Sequence, residues 1–174
     1  MATAMDEYLG GVRRRIARLE VTVQRGTADA RPRMQRYLNT LRRDEESARA
    51  STRERAVAVD ERLEQLNNEL ELAEQRVAAE FAATQDQFMD ALEAELRRWD
   101  VSLDQMQAKA AAKTGVARGR AEAVIADLRQ RRVSIGTSVS YVGAAAGEGW
   151  RNARSRVLAE LDELKGEADA AWRA

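Results

Sequence analysis

VDERLEQLNNELELAEQRVAAEFAATQDQFMDALEAELRRWDVSLDQM, residues 59–106, is the stretch that decides the fold class. Read in steps of eleven, it places Val59, Leu70, Phe81, Leu92 and Leu103 on one phase, which resumes at Ile125 after Thr114. A second phase holds Leu66, Val77, Phe88, Trp99, Ala110 and Ala121, and a weaker third holds Ala73, Thr84, Glu95, Met106, Ala117 and Leu128. Eleven residues make three helical turns of about 3.67 residues each, so the phases merge into one nearly straight apolar stripe. Such a stripe needs a long partner surface. The fold it predicts is all-α: long amphipathic helices in an antiparallel coiled coil or a three- to four-helix bundle, with self-association expected to cover what one chain leaves bare.

Composition agrees with helix. The 174 residues include 1 Pro and are dominated by Ala, Glu, Arg, Leu and Gln, which lose little side-chain freedom in a helix. Basic and acidic side chains number 29 each, so the excess of cation a general nucleic-acid binder needs is missing. Cys and His are both absent. That removes disulfides, thiolate nucleophiles, zinc-finger spacing, the serine–histidine triad and the Glu-x-x-His di-iron site. No EF-hand or phosphate-loop pattern occurs, and no cofactor, metal or catalytic residue is expected. The start, MATAMDEYLGG, has early acids and no apolar core, so a cytoplasmic location is expected.

Periodicity and breakers predict a single helical domain, 1–174, with helices at 4–25, 30–66, 69–113, 117–133 and 148–172. Leu9, Val12, Ile16, Leu19 and Val23 give the first helix its buried side. Gly26 stops it, Asp29 is placed to cap the next helix, and Pro32 suits that helix's first turn. DEESARASTRER, residues 44–55, reads as solvated helix or turn, and Asn67–Asn68 as a second turn candidate. Trp150, Val157, Leu161, Leu164, Ala168 and Ala171 follow a seven-residue spacing in the last helix. Between these elements, VSIGTSVSYVGAAAG (133–147) is an uncharged run, short of the roughly 20 apolar residues a membrane span needs. It reads as a loop plus a close-packing face built from Gly136, Ser140, Gly143 and Gly147, where small side chains let backbones approach.

Charge is unevenly laid out. Residues 1–55 hold 13 basic and 8 acidic side chains, 56–112 hold 5 and 13, and 113–174 hold 11 and 8. An acidic middle between basic flanks fits an antiparallel up-down-up arrangement or pairing between chains, with charge favouring one register. Arg13, Arg14, Arg15 and Arg18 give the first helix a basic surface that can pack on the acidic middle or lie on an anionic membrane. Glu69, Glu71, Glu74, Asp90 and Glu93 read as a solvated face, and Glu95 as a polar break within the stripe. Phe81, Phe88, Trp99 and Trp150 read as core anchors.

The eleven-residue amphipathic repeat over 59–128, with balanced charge and no Cys, resembles exchangeable apolipoproteins and, in style, bacterial granule-coat phasins. The resemblance rests on periodicity and implies a coat on lipid or a hydrophobic granule. Unlike animal apolipoproteins, this chain has no proline after Pro32, and no functional residue is carried over. The expected function is therefore that of a non-enzymatic structural or interaction protein acting through helix–helix contacts. The alternative is an amphipathic protein that coats lipid. Expected partners are a second copy of the chain, another protein and, less strongly, a lipid surface. The stripe residues Val59, Leu66, Leu70, Val77, Phe81, Phe88, Leu92, Trp99, Leu103, Met106, Ile125 and Leu128 are its candidate core and contact positions.

Overall fold

The computed structural model describes the backbone of residues 2–53, 59–145 and 147–173, and side chains within 5–50, 62–145 and 147–172 apart from that of Glu148. Among these residues the chain is all-helical: α1 (Ala2–Gln24), α2 (Ala30–Arg53), α3 (Val59–Phe81), α4 (Gln85–Ala111), α5 (Gly115–Ala144) and α6 (Glu148–Arg173). They form two compact units, Met1–Phe81 and Ala82–Ala174, where the sequence reading has a single domain.

In the first unit α1, α2 and α3 run up, down and up. Leu9, Val12, Ile16, Leu19 and Val23 of α1 meet Met34, Leu38 and Leu41 of α2 and Leu66, Leu70 and Val77 of α3 in one core. Arg15 of α1 is held by α3 through two parallel contacts, 2.8 and 2.7 Å to the Glu74 carboxylate, and a third of 3.3 Å to Asn67. Arg13 reaches Glu45 of α2 at 3.0 Å, and Arg33 of α2 pairs with Glu80 of α3. Two of these three pairs join the basic flank to the acidic middle, and such pairs select register more than they add stability. The turn after α1 is capped by Thr27, whose hydroxyl accepts from the Ala30 N–H at 3.3 Å, and not by Asp29.

The second unit repeats the course with longer helices. Phe88, Leu92, Trp99, Leu103 and Met106 of α4 are buried with Ile125, Leu128, Ile135, Val139 and Val142 of α5 and Val157, Leu161 and Leu164 of α6. Asp100 and Asp104 of α4 bind Arg132 and Arg129 of α5 at 2.6 and 2.7 Å, which fixes the antiparallel register. Gln85 closes one end, donating to the carbonyls of Val142 and Ala145 at 2.6 and 3.1 Å and so satisfying the last turn of α5. Arg154 of α6 lies over the rings of Phe88 and Trp150 at 5.0 and 5.7 Å and donates to the Ala82 carbonyl at 2.9 Å.

Several boundaries differ from expectation. The predicted 69–113 helix is interrupted at 82–84, where the Thr84 hydroxyl accepts from the Gln87 N–H at 3.2 Å while the Gln87 side chain accepts from the Ala83 N–H at 3.1 Å. This reciprocal pair begins a new helix without glycine or proline. Asn67–Asn68 is no turn, because both lie inside α3. The predicted loop of 133–147 is helical as far as Ala144, since Ile135, Val139 and Val142 bury there. Residues 54–58 of the predicted 30–66 helix, and the side chain of Val59, lie outside the described residues. No helix among the described residues is long and apolar enough to cross a membrane.

Candidate interaction face

α5 carries two seams on opposite sides. The inner one, Ala121, Ile125, Leu128, Arg132, Ile135, Val139 and Val142, steps alternately by four and three residues and packs within the second unit. The outer one, Gly119, Ala123, Ala126, Gln130, Val133, Thr137, Ser140 and Ala144, also steps by four and three. All eight outer residues are exposed and none is charged. In a chain that is 33% charged, an exposed helix face of this length is ordinarily laced with Glu and Arg. Val116 and Tyr141, 72% and 71% exposed, extend the same side, and Ser134 is exposed there too.

The physical character of this face follows from its side chains. Five of the eight outer residues are Gly, Ala or Ser, so the helix surface is nearly flat and its backbone can approach another helix closely. Alternating steps of four and three residues are the spacing of a two-helix seam. From Gly119 to Ala144 the face runs about 38 Å at 1.5 Å per residue. Its borders are charged but largely neutralised within the chain: Arg118 is paired with Glu122 at 2.7 Å, Arg129 with Asp104, and Arg131 with Asp127 at 3.3 Å and Glu167 at 3.0 Å.

The face predicted from spacing in this segment differs from the exposed seam. Gly136, Ser140, Gly143 and Gly147 do not meet a neighbour as a set. Ser140 belongs to the outer seam; the space beside Gly136 holds only its own helix's Arg132. Gly143 faces Met89, whose Cε would lie 3.3 Å from a side chain placed there, and Gly147, at φ +58°, lies in the connection just before α6 in the left-handed conformation glycine tolerates. The signal that could have found the outer seam is a four–three repeat of small uncharged residues, which an apolar pattern search passes over.

Of the other candidates, Leu66, Leu70, Val77, Phe88, Leu92, Trp99, Leu103, Met106, Ile125 and Leu128 are buried and Phe81 is partly so. Leu66, Leu70 and Val77 lie in the core of the first unit, and the stripe residues from Phe88 to Leu128 are buried within the second. In the basic strip, Arg13 and Arg15 serve the fold through Glu45 and Glu74, while Arg14 and Arg18 are exposed. Glu69, expected on a solvated face, is buried, as is Glu95. Glu71 accepts from Asn67 at 3.0 Å, Glu93 faces Arg97 at 3.9 Å, and Asp90 is exposed. Among the described residues no group of three or more carboxylates is gathered as metal ligands.

No protein-family model, curated protein or solved structure matches the chain.

Proposed function

We propose that the chain is a non-enzymatic assembly protein that works by helix–helix contact, with the outer seam of α5 as its contact surface and a second copy of the chain as its partner. The observation that carries this reading is the uncharged, small-residue four–three seam of Gly119–Ala144, exposed along its whole length. A second copy suits it because the seam offers no charge for a charged partner to read and matches its own spacing. Pairing like with like is also the commonest route to a symmetric dimer. A single helix face about 38 Å long is at the low end of stable interfaces, so the dimer is expected to be reversible, with a Kd on the order of micromolar.

A coat on lipid has less in its favour. Membrane-surface helices pair an apolar face with free Lys and Arg on their flanks, whereas Arg118, Arg129 and Arg131 are paired with acids here and, of the α5 arginines, only Arg120 has no ion pair among the described residues. Solution mass by light scattering, with and without anionic liposomes, tests both readings. A reversible dimer that ignores liposomes is expected. A monomer that becomes bound to liposomes would replace the assembly reading with the coat.

A further inference from the structure

Apart from the outer seam, the second unit has a groove where the ends of α4 and α6 meet the start of α5. Its volume is about 600 Å³, within the range of small-molecule sites. The floor is apolar, made by Met106, Ala110, Ala121, Val124 and Ile125, and Trp172 stands at its side. Lys109, Lys113 and Arg120 line it as well, and no Asp or Glu among the described residues does. In a chain with equal numbers of acids and bases, a groove lined by three cations and, among the described residues, no Asp or Glu is a departure to be explained.

The local charge is unusual in a second way. The start of a helix carries partial positive charge and open N–H groups, and acidic residues ordinarily gather there. α5 has no acid in its first turn, and Thr114, its N-cap residue, makes no side-chain cap hydrogen bond. Lys113 precedes it, and Arg118 and Arg120 follow. Arg118 is neutralised by Glu122 at 2.7 Å. Lys113 and Arg120 have no ion-pair partner among the described residues. Lys109 lies 4.8 Å over the Trp172 ring and donates to that residue's carbonyl at 3.4 Å, and it has no ion pair with an Asp or Glu among the described residues. The Trp172 indole N–H is buried and has no acceptor among the described residues.

We infer that this groove binds a single-chain amphiphilic carboxylate. The hydrocarbon chain lies on the Met106–Ala110–Ile125 floor, replacing water on an apolar surface. The carboxylate sits between Lys113 and Arg120, close to the positive end of α5. A planar carboxylate matches the fork of the Arg120 guanidinium, and both helix start and cations favour its charged form. The inference stands on different residues from the outer seam and does not depend on self-association.

Dodecanoate, titrated into the full chain below its micelle concentration and followed by calorimetry, tests the site. One saturable equivalent is expected, with affinity falling as salt rises. Dodecanol, which keeps the chain and loses the charge, and acetate, which does the reverse, should each bind about tenfold more weakly or worse. Lys113→Glu together with Arg120→Glu should weaken dodecanoate by about tenfold or more with helicity unchanged by circular dichroism. Ala117→Trp, which fills the groove from an exposed position, should remove binding. The site is overturned by absence of saturable binding, by equal affinity for dodecanol, or by full affinity in the charge-reversed double variant. Binding of many equivalents with loss of helicity, or flotation with anionic phospholipid vesicles without binding of free dodecanoate, would overturn it equally.

Discussion

Arg76 and Glu80 stand one turn apart on α3 with Nη1 and Oε2 separated by 3.4 Å, and neither side chain reaches solvent to any extent. Arg33 of α2 converges on the same Glu80, and the Arg76 guanidinium lies 5.9 Å from the centre of the Tyr37 ring. A buried ion pair gains little over an apolar pair of the same size, yet breaking it leaves one charge stranded. Glu80→Ala is therefore expected to cost about 3–5 kcal/mol, whereas Arg76→Met with Glu80→Leu should recover most of that loss. Urea unfolding of the three proteins checks it. A single-variant cost near zero would mean that the pair does not hold the first unit together.

Gly26 is set by contact, not by backbone angle. A side-chain carbon there would overlap the edge of the Phe81 ring. Gly26→Ala should destabilise the first unit by about 1–3 kcal/mol through overpacking. In a Phe81→Leu background the cost of the same change should fall, because the ring edge is gone while the 3.1 Å approach to the Val23 carbonyl oxygen remains. Melting temperatures of the four-member cycle give the coupling directly.

Thr84 and Gln87 start α4 by exchanging hydrogen bonds with the backbone. Thr84→Ala should cost about 1 kcal/mol, and Thr84→Ser much less, measured by thermal unfolding. Equal loss in both variants would show that the hydroxyl is not what begins the helix.

Tyr8 makes stability depend on pH at the alkaline end. Burial raises its pKa above the ordinary 10.0, Arg15 opposes this, and Glu71 adds to it. A pKa raised in the folded state means the neutral phenol is favoured there. Its contribution is fully present below pH 10.0 and is lost as pH rises through the folded value. Because the side chain is partly exposed, the effect is small. Stability should decline above pH 10.0 in the wild type and less steeply in Tyr8→Phe, followed by urea midpoint against pH.

Leu66, Leu70, Val77, Phe88, Leu92, Trp99 and Leu103 are buried because their spacing keeps them on one side of a helix, and that spacing is visible in the chain. The break at 82–84 is hidden because Ala82, Ala83 and Gln85 all suit a helix interior. Only the Thr84-x-x-Gln87 pattern marks it. α5 beyond Val133 is hidden for the opposite reason. Ser, Thr, Val and Gly are weak helix formers there, and burial of Ile135, Val139 and Val142 overrides their preference. The outer seam lies in that same stretch and is silent in apolar periodicity, since Ala, Ser, Thr and Gly carry little hydrophobic signal.

The outer seam of α5 is proposed to join two copies of the chain. Sedimentation equilibrium of the wild type and of Ala126→Glu with Thr137→Glu, over about 1–200 µM, tests it most directly, because the range brackets a micromolar Kd. Both substituted positions are exposed, so helicity should be unchanged. The wild type should pass from monomer to dimer across the range, and the double variant should stay monomeric throughout. A wild type that is monomeric at every concentration, or a double variant that dimerises equally well, would contradict the account.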